Sequence, residues 1–95
     1  MASFLQLRRT LRSKLRFKKQ ERPKHEWYEL RNQAGDVIVA APVSREPDGK
    51  DVSSGILSLI ATQICLSNRE LRQAISCPLT RKDYYRILRE KGFAI

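Results

Sequence analysis

The sequence predicts an α+β fold: a basic N-terminal helix or arm, one β-hairpin, then a small C-terminal three-helix unit. Three observations lead there. Positive charge is concentrated in the first quarter of the chain. Residues 26–41 are rich in aromatic and β-branched residues around one turn. Residues 53–92 carry apolar residues at helical spacing between capping signals.

The charge sets the first element. The chain of 95 residues carries a formal net charge of +9. Residues 1–25 hold nine bases (Arg8, Arg9, Arg12, Lys14, Arg16, Lys18, Lys19, Arg22, Lys24) and one acid, Glu21. Residues 26–95 hold ten bases and nine acids. A basic arm, residues 1–24, is therefore expected on a nearly neutral domain, residues 25–95. Within residues 2–19, Phe4, Leu7, Leu11 and Leu15 fall within about 80° of one another at helical spacing, which makes a narrow apolar stripe flanked by bases. A helix this basic repels itself, so it is expected to form fully only against something that neutralises it. Gln20 to Lys24, with Pro23, is expected as a hinge.

The hairpin follows. Glu26 to Arg31 interleaves aromatic and polar residues, Asn32 to Asp36 carries turn chemistry with Gly35 suited to a left-handed position, and Val37 to Ala41 is an apolar run. Residues 42–51, with Pro42, Pro47 and Gly49 among charges, are expected as a surface loop.

The second half reads as helices. Ser53 or Ser54 is suited to cap a helix running to about Ile64. Ser67-Asn68-Arg69-Glu70 is a capping-box pattern opening a helix with Leu71 and Ile75 inward, and Pro78 ends it. Thr80 starts a third helix with Tyr84, Ile87 and Leu88 on its apolar face and Gly92 just past its end, after which Phe93 and Ile95 are expected to pack back as a short strand or tail. The expected core comprises Trp27, Leu30, Ile38, Ile56, Ile60, Leu71, Ile75, Tyr84 and Leu88.

Several chemistries lack support in the sequence. The glycines are isolated, so no phosphate loop is present, and the acids are scattered singly. His25, the one histidine, has no nearby Cys or Ser in sequence. Cys65 and Cys77 with one histidine fall short of the four ligands of a structural zinc site, so both are expected as small buried apolar residues. No cofactor, metal or catalytic residue is expected, and the chain is expected not to be an enzyme. No stretch approaches the roughly 18 apolar residues of a membrane-spanning helix, and no secretory h-region is present. An intracellular location is expected, in cytoplasm, nucleus or nucleoid.

The string Leu66-Ser67-Asn68-Arg69-Glu70-Leu71-Arg72-Gln73-Ala74-Ile75, followed after a break by Leu79-Thr80-Arg81-Lys82-Asp83-Tyr84-Tyr85-Arg86-Ile87-Leu88, resembles the helix-turn-helix of small winged-helix proteins. The resemblance covers residues 56–95. It departs from that pattern at Pro78 in the turn, in a recognition helix about one turn short, and in having no wing hairpin after Phe93. It implies a tri-helical packing and, if carried to function, Thr80, Arg81, Lys82 and Tyr85 as candidate groove-facing residues on duplex DNA.

The function expected is that of a small basic binding protein, regulatory or accessory, whose arm engages nucleic acid through the nine bases of residues 1–25. The alternative is a membrane-surface or host-protein-binding accessory protein of viral or phage type. In that case the arm lies on an anionic membrane surface with Phe4, Leu7, Leu11 and Leu15 as membrane-facing residues, or on an acidic protein face. A further alternative is an organelle-targeted protein: residues 1–20 carry arginines, Ser3, Thr10 and Ser13 but no acid, as mitochondrial presequences do.

Overall fold

The computed structural model describes residues 2–76 and 78–95. In chain order it contains helix α1 (Phe4–Arg9), a π-helical continuation (Thr10–Lys14), strands β1 (Lys18–Glu21), β2 (His25–Arg31) and β3 (Val37–Ser44), and helices α2 (Ser54–Gln63), α3 (Asn68–Ile75) and α4 (Arg81–Glu90). The strands form one antiparallel sheet in the order β1-β2-β3. The α+β layout of helix, hairpin and three C-terminal helices is the one expected.

The local signals account for the ends of the helices. Ser53 accepts from the Ile56 N–H and opens α2. Ser67 with Glu70, and Thr80 with Asp83, form reciprocal capping boxes that open α3 and α4. Gly92 takes φ +95° just past α4, and the Phe93 N–H returns to the Leu88 carbonyl at 3.0 Å. Phe93 and Ile95 then pack back as a half-buried tail. The β2–β3 turn closes through the Asn32 side chain, which accepts from the Asp36 N–H at 3.0 Å, with Gly35 at φ +87°.

The largest departure from expectation is in residues 1–24. Phe4, Leu7, Leu11, Leu15 and Phe17 are buried and belong to the same core as Tyr28, Leu30, Ile60, Leu71, Tyr84 and Leu88. Phe17 stacks on Tyr84 with ring centroids 5.9 Å apart. The stripe is thus the inner face of a core helix, not a surface awaiting a membrane, and the candidate membrane-facing residues Phe4, Leu7, Leu11 and Leu15 are corrected accordingly. The start of the chain is also tied down: the Phe4 N–H donates to the Lys50 carbonyl and the Val52 N–H to the Ala2 carbonyl, both at 2.8 Å. The expected division at residue 24 is crossed by the core and by the sheet alike. Where a hinge is expected, β1 pairs with β2 (Lys18 opposite Glu29, Gln20 opposite Trp27), and only Arg22 to Lys24 form the turn.

The π-helical segment explains how a narrow stripe becomes fully buried. Leu7, Leu11 and Leu15 are spaced by four, and on an α-helix each such step drifts by about 40°. A wider turn counters the drift and keeps all three on one face. The segment is held by the Leu15 N–H donating to the Thr10 carbonyl at 2.9 Å, and Thr10 Oγ1 donates back to the Gln6 carbonyl at 2.8 Å.

Register decides the second correction. Glu26, Tyr28 and Leu30 face the helices, while Trp27, Glu29 and Arg31 alternate onto the other face. Tyr28 is therefore the core aromatic and Trp27 is half-buried on the outer face. Ile38, Ile56 and Ile75, expected in the core, are half-buried at its margin, and β3 runs through Pro42 to Ser44 where a loop is expected. An edge strand accommodates this proline because its N–H is not needed by a further neighbour. Cys65 is half-buried at φ +66°, past the end of α2; Cys77 lies outside the described residues.

Candidate functional site

A broad, open groove of about 1360 Å³ runs between the outer side of the first helix, β1 and the loop after β3. Its lining includes Arg8, Arg9, Arg12, Arg16, Lys18, Lys19 and Arg45, with Glu26, Glu46 and Asp48 as the acids. The burial of the leucine stripe is what builds it. With Leu7, Leu11 and Leu15 turned inward, the arginines between them point outward on the opposite side.

Each acid in the groove is already partnered. Glu26 accepts from Arg8 Nε at 3.2 Å and from the Tyr28 hydroxyl at 3.0 Å, and Lys19 Nζ lies 3.7 Å away. Asp48 accepts from Arg8 at 2.7 Å, and Glu46 pairs with Lys50 at 2.9 Å. Arg8 also donates to the Ser44 and Glu46 carbonyls at 3.2 and 2.6 Å, so it clamps the first helix to the end of β3. Burial works against the Arg8 charge, but Glu26 and Asp48 outweigh it and its pKa is raised. Burial first, and then the hydrogen bond to Glu26, hold the Tyr28 hydroxyl protonated well above its ordinary range.

The nine bases expected to bind a polyanion thus separate into distinct roles. Arg8 and Lys19 are structural partners of Glu26, and Lys19 also meets Glu21 at 2.9 Å. Lys14 leaves the groove and donates to the Ala74 carbonyl at the end of α3, at 2.6 Å. Arg22 stands over the Trp27 ring at 5.1 Å and donates to Glu29 at 3.2 Å. Lys24 is exposed in the β1–β2 turn. Arg9, Arg12, Arg16 and Lys18 are exposed along the groove and have no ion-pair or hydrogen-bond partner among the described residues.

Arg16 adds a backbone observation. It sits at φ +66°, in the left-handed region where glycine is favoured, two residues past the π-helical segment. The Phe17 N–H reaches back to the Leu11 carbonyl at 2.7 Å and closes the helix end. The same left-handed exit follows α2 at Cys65, where the Leu66 N–H returns to the Ala61 carbonyl at 2.8 Å, so at Arg16 it is a helix-ending device that leaves the side chain on the basic groove.

The candidate groove-facing residues of α4 lie elsewhere. Thr80 is the helix cap, and Arg81 and Lys82 are exposed on the first turn. Tyr85 is half-buried, with the Arg81 guanidinium 5.9 Å from its ring centre. The Asp83 carboxyl is held below its ordinary range by the Thr80 backbone and side-chain hydrogen bonds. These residues form a second, smaller basic surface outside the lining of the groove. Sequence reasoning also missed Arg45, which lines the groove and pairs with Glu21 at 2.9 Å; a lone arginine in a loop gives no signal of this. None of the described helices is long and apolar enough to cross a membrane.

No protein family, curated protein or solved structure matches this chain.

Proposed function

We propose that the protein is a non-enzymatic binding protein that engages nucleic acid through the basic groove between its first helix and β1. One observation carries the reading: Arg9, Arg12, Arg16 and Lys18 line a single groove whose acids are all consumed by other partners. Four unpaired cations in a concave surface raise the local potential and attract a linear polyanion. Insertion into a membrane interface needs exposed apolar area, and the stripe that offered it in the sequence lies in the core, which favours nucleic acid over lipid.

The test is binding of the full chain to single-stranded RNA, single-stranded DNA, duplex DNA and anionic vesicles at two salt concentrations. Nucleic-acid affinity should fall steeply with salt. The double substitution Arg12→Gln, Arg16→Gln should flatten the slope of log affinity against log salt by about 1.4 to 1.8 units and weaken all sequences alike. Tight, leucine-independent binding to vesicles with no measurable binding to any nucleic acid would overturn the proposal in favour of an anionic membrane surface.

A further inference from the structure

The outer face of the sheet carries a planar aromatic side chain that the core does not use. Trp27 stands at the centre of β2, between Gln20 on β1 and Pro42 on β3, and all three are partly exposed. The Arg22 guanidinium covers its ring at 5.1 Å and is itself half exposed. This ring face therefore already accepts a flat, delocalised group from solvent. Lys18, one of the unpaired groove cations, stands diagonally across the β1–β2 pair from Trp27, because it opposes Glu29 two residues further along β2. Diagonal neighbours of this kind lie about 7–8 Å apart, within the reach of one nucleotide. The groove and the tryptophan are thus joined over the edge of β1.

We infer that Trp27 is a stacking platform for an unpaired base, so that the groove's ligand is single-stranded RNA or DNA. The inference rests on the groove being a nucleic-acid site. A strand whose phosphates lie along Arg12, Arg16 and Lys18 passes over β1 and lays one base on Trp27 in place of the Arg22 guanidinium. Gln20 beside the ring supplies both a donor and an acceptor to a base edge. Release of Arg22 leaves the buried Glu29 carboxylate partnered, because Arg31 also donates to it, at 3.1 Å. The displaced guanidinium is then free to meet a phosphate. A duplex keeps its bases inside the stack and has none to offer to the ring, and stacking of this type tolerates any base.

Trp27 is the only tryptophan in the chain, so its fluorescence reports the event directly. The full chain is titrated at low salt with a labelled oligo(U) or oligo(dT) of about twelve nucleotides, with a duplex of equal length, and with heparin. Tryptophan emission and label anisotropy are followed together. Single strands should quench the emission, whereas duplex and heparin should bind without quenching. Trp27→Ala should weaken single-strand binding about tenfold or more while leaving heparin binding unchanged, and Trp27→Phe should restore most of the loss. A cooperative thermal unfolding transition followed by circular dichroism serves as the control that Trp27→Ala remains folded. Anisotropy that shows salt-dependent binding with no quenching, and equal affinity for Trp27→Ala, would overturn the stacking inference and leave the groove standing. If no nucleic acid binds at all, the groove reading falls and the stacking inference with it.

Discussion

Leu11→Ala tests whether the first helix belongs to the core. Leu11 is 0% exposed, and its carbonyl accepts the Phe17 N–H that closes the helix. Truncation to alanine removes the apolar equivalent of about three methylenes, or about 2.4 kcal/mol of transfer free energy. The cavity adds to this, because the surrounding backbone is pinned by the π-helical hydrogen bonds and collapses poorly, so a total near 3–4 kcal/mol is expected. A chain of this size is stable by roughly 5–14 kcal/mol, so the substitution removes a large share. With an unfolding entropy of about 0.2 kcal/mol/K for the whole chain, the melting temperature should fall by about 15–20 °C. Thermal unfolding followed by circular dichroism measures it, with Leu59→Ala, at an exposed site (57%), as the matched control. A shift below about 3 °C for Leu11→Ala would mean that the helix does not share the core, and the burial argument would fail.

The other expectations can be checked with the same stability assay. Arg8→Ala should destabilise by about 2–4 kcal/mol, because it strips the buried Glu26 of its closest cation, while Arg12→Ala should change stability by less than about 0.5 kcal/mol; equal effects would contradict the separation of structural from binding arginines. Arg16→Gly should raise stability by up to about 1 kcal/mol by relieving the left-handed backbone, yet lower oligonucleotide affinity; a loss of stability would show that the arginine is held there for folding. Burial raises the pKa of the Tyr84 hydroxyl, which donates to the Ile64 carbonyl at 2.8 Å, and that of Tyr28 likewise. The unfolded chain therefore loses these protons near pH 10 while the folded chain keeps them, so stability is full below that pH and declines as pH rises above it. Tyr84→Phe should weaken that alkaline decline, as measured by denaturant unfolding at pH 8 and pH 11. Asp83, with its pKa lowered by Thr80, should add to α4 at neutral pH, and its contribution should vanish as acid protonates it below its ordinary range, an effect absent in Asp83→Asn.

What the sequence made legible was local, and what it hid depended on tertiary partners. The caps at Ser53, Ser67 and Thr80, the turn at Gly35 and the exit at Gly92 each rest on side-chain or backbone chemistry within five residues, and each is realised. The strand β1 was not legible. Lys18-Lys19-Gln20-Glu21 contains no β-branched or aromatic residue, and it is extended because β2 offers it an edge. Its charge also suits an edge that must not pair further. The stripe at Phe4, Leu7, Leu11 and Leu15 was visible, but periodicity shows that a face is apolar and not what covers it; the neighbouring charge drew the reading toward an external anion. The adjacent pair Trp27-Tyr28 could have been placed. The set Trp27, Glu29, Arg31 carries two charges against one in Glu26, Tyr28, Leu30, which favours the latter inward. For the site, the sequence located the basic segment but not which of its charges are spent: Arg8 is claimed by Glu26 and Asp48 and Lys14 by Ala74, contacts spanning 18 to 60 residues.

Those long-range contacts bear on how the chain folds during synthesis. The first helix closes against residues that are made much later, since Phe17 stacks on Tyr84 and Lys14 bonds to Ala74. At about 5–20 residues per second, the 71 residues that separate Phe17 from Leu88 in the core take roughly 4–14 s to make. Through that interval five large apolar side chains wait unpaired on the nascent chain. The same density of arginine and lysine that later lines the groove keeps this waiting segment self-repelling and hydrated, and so protects the newborn chain from coalescing with its neighbours.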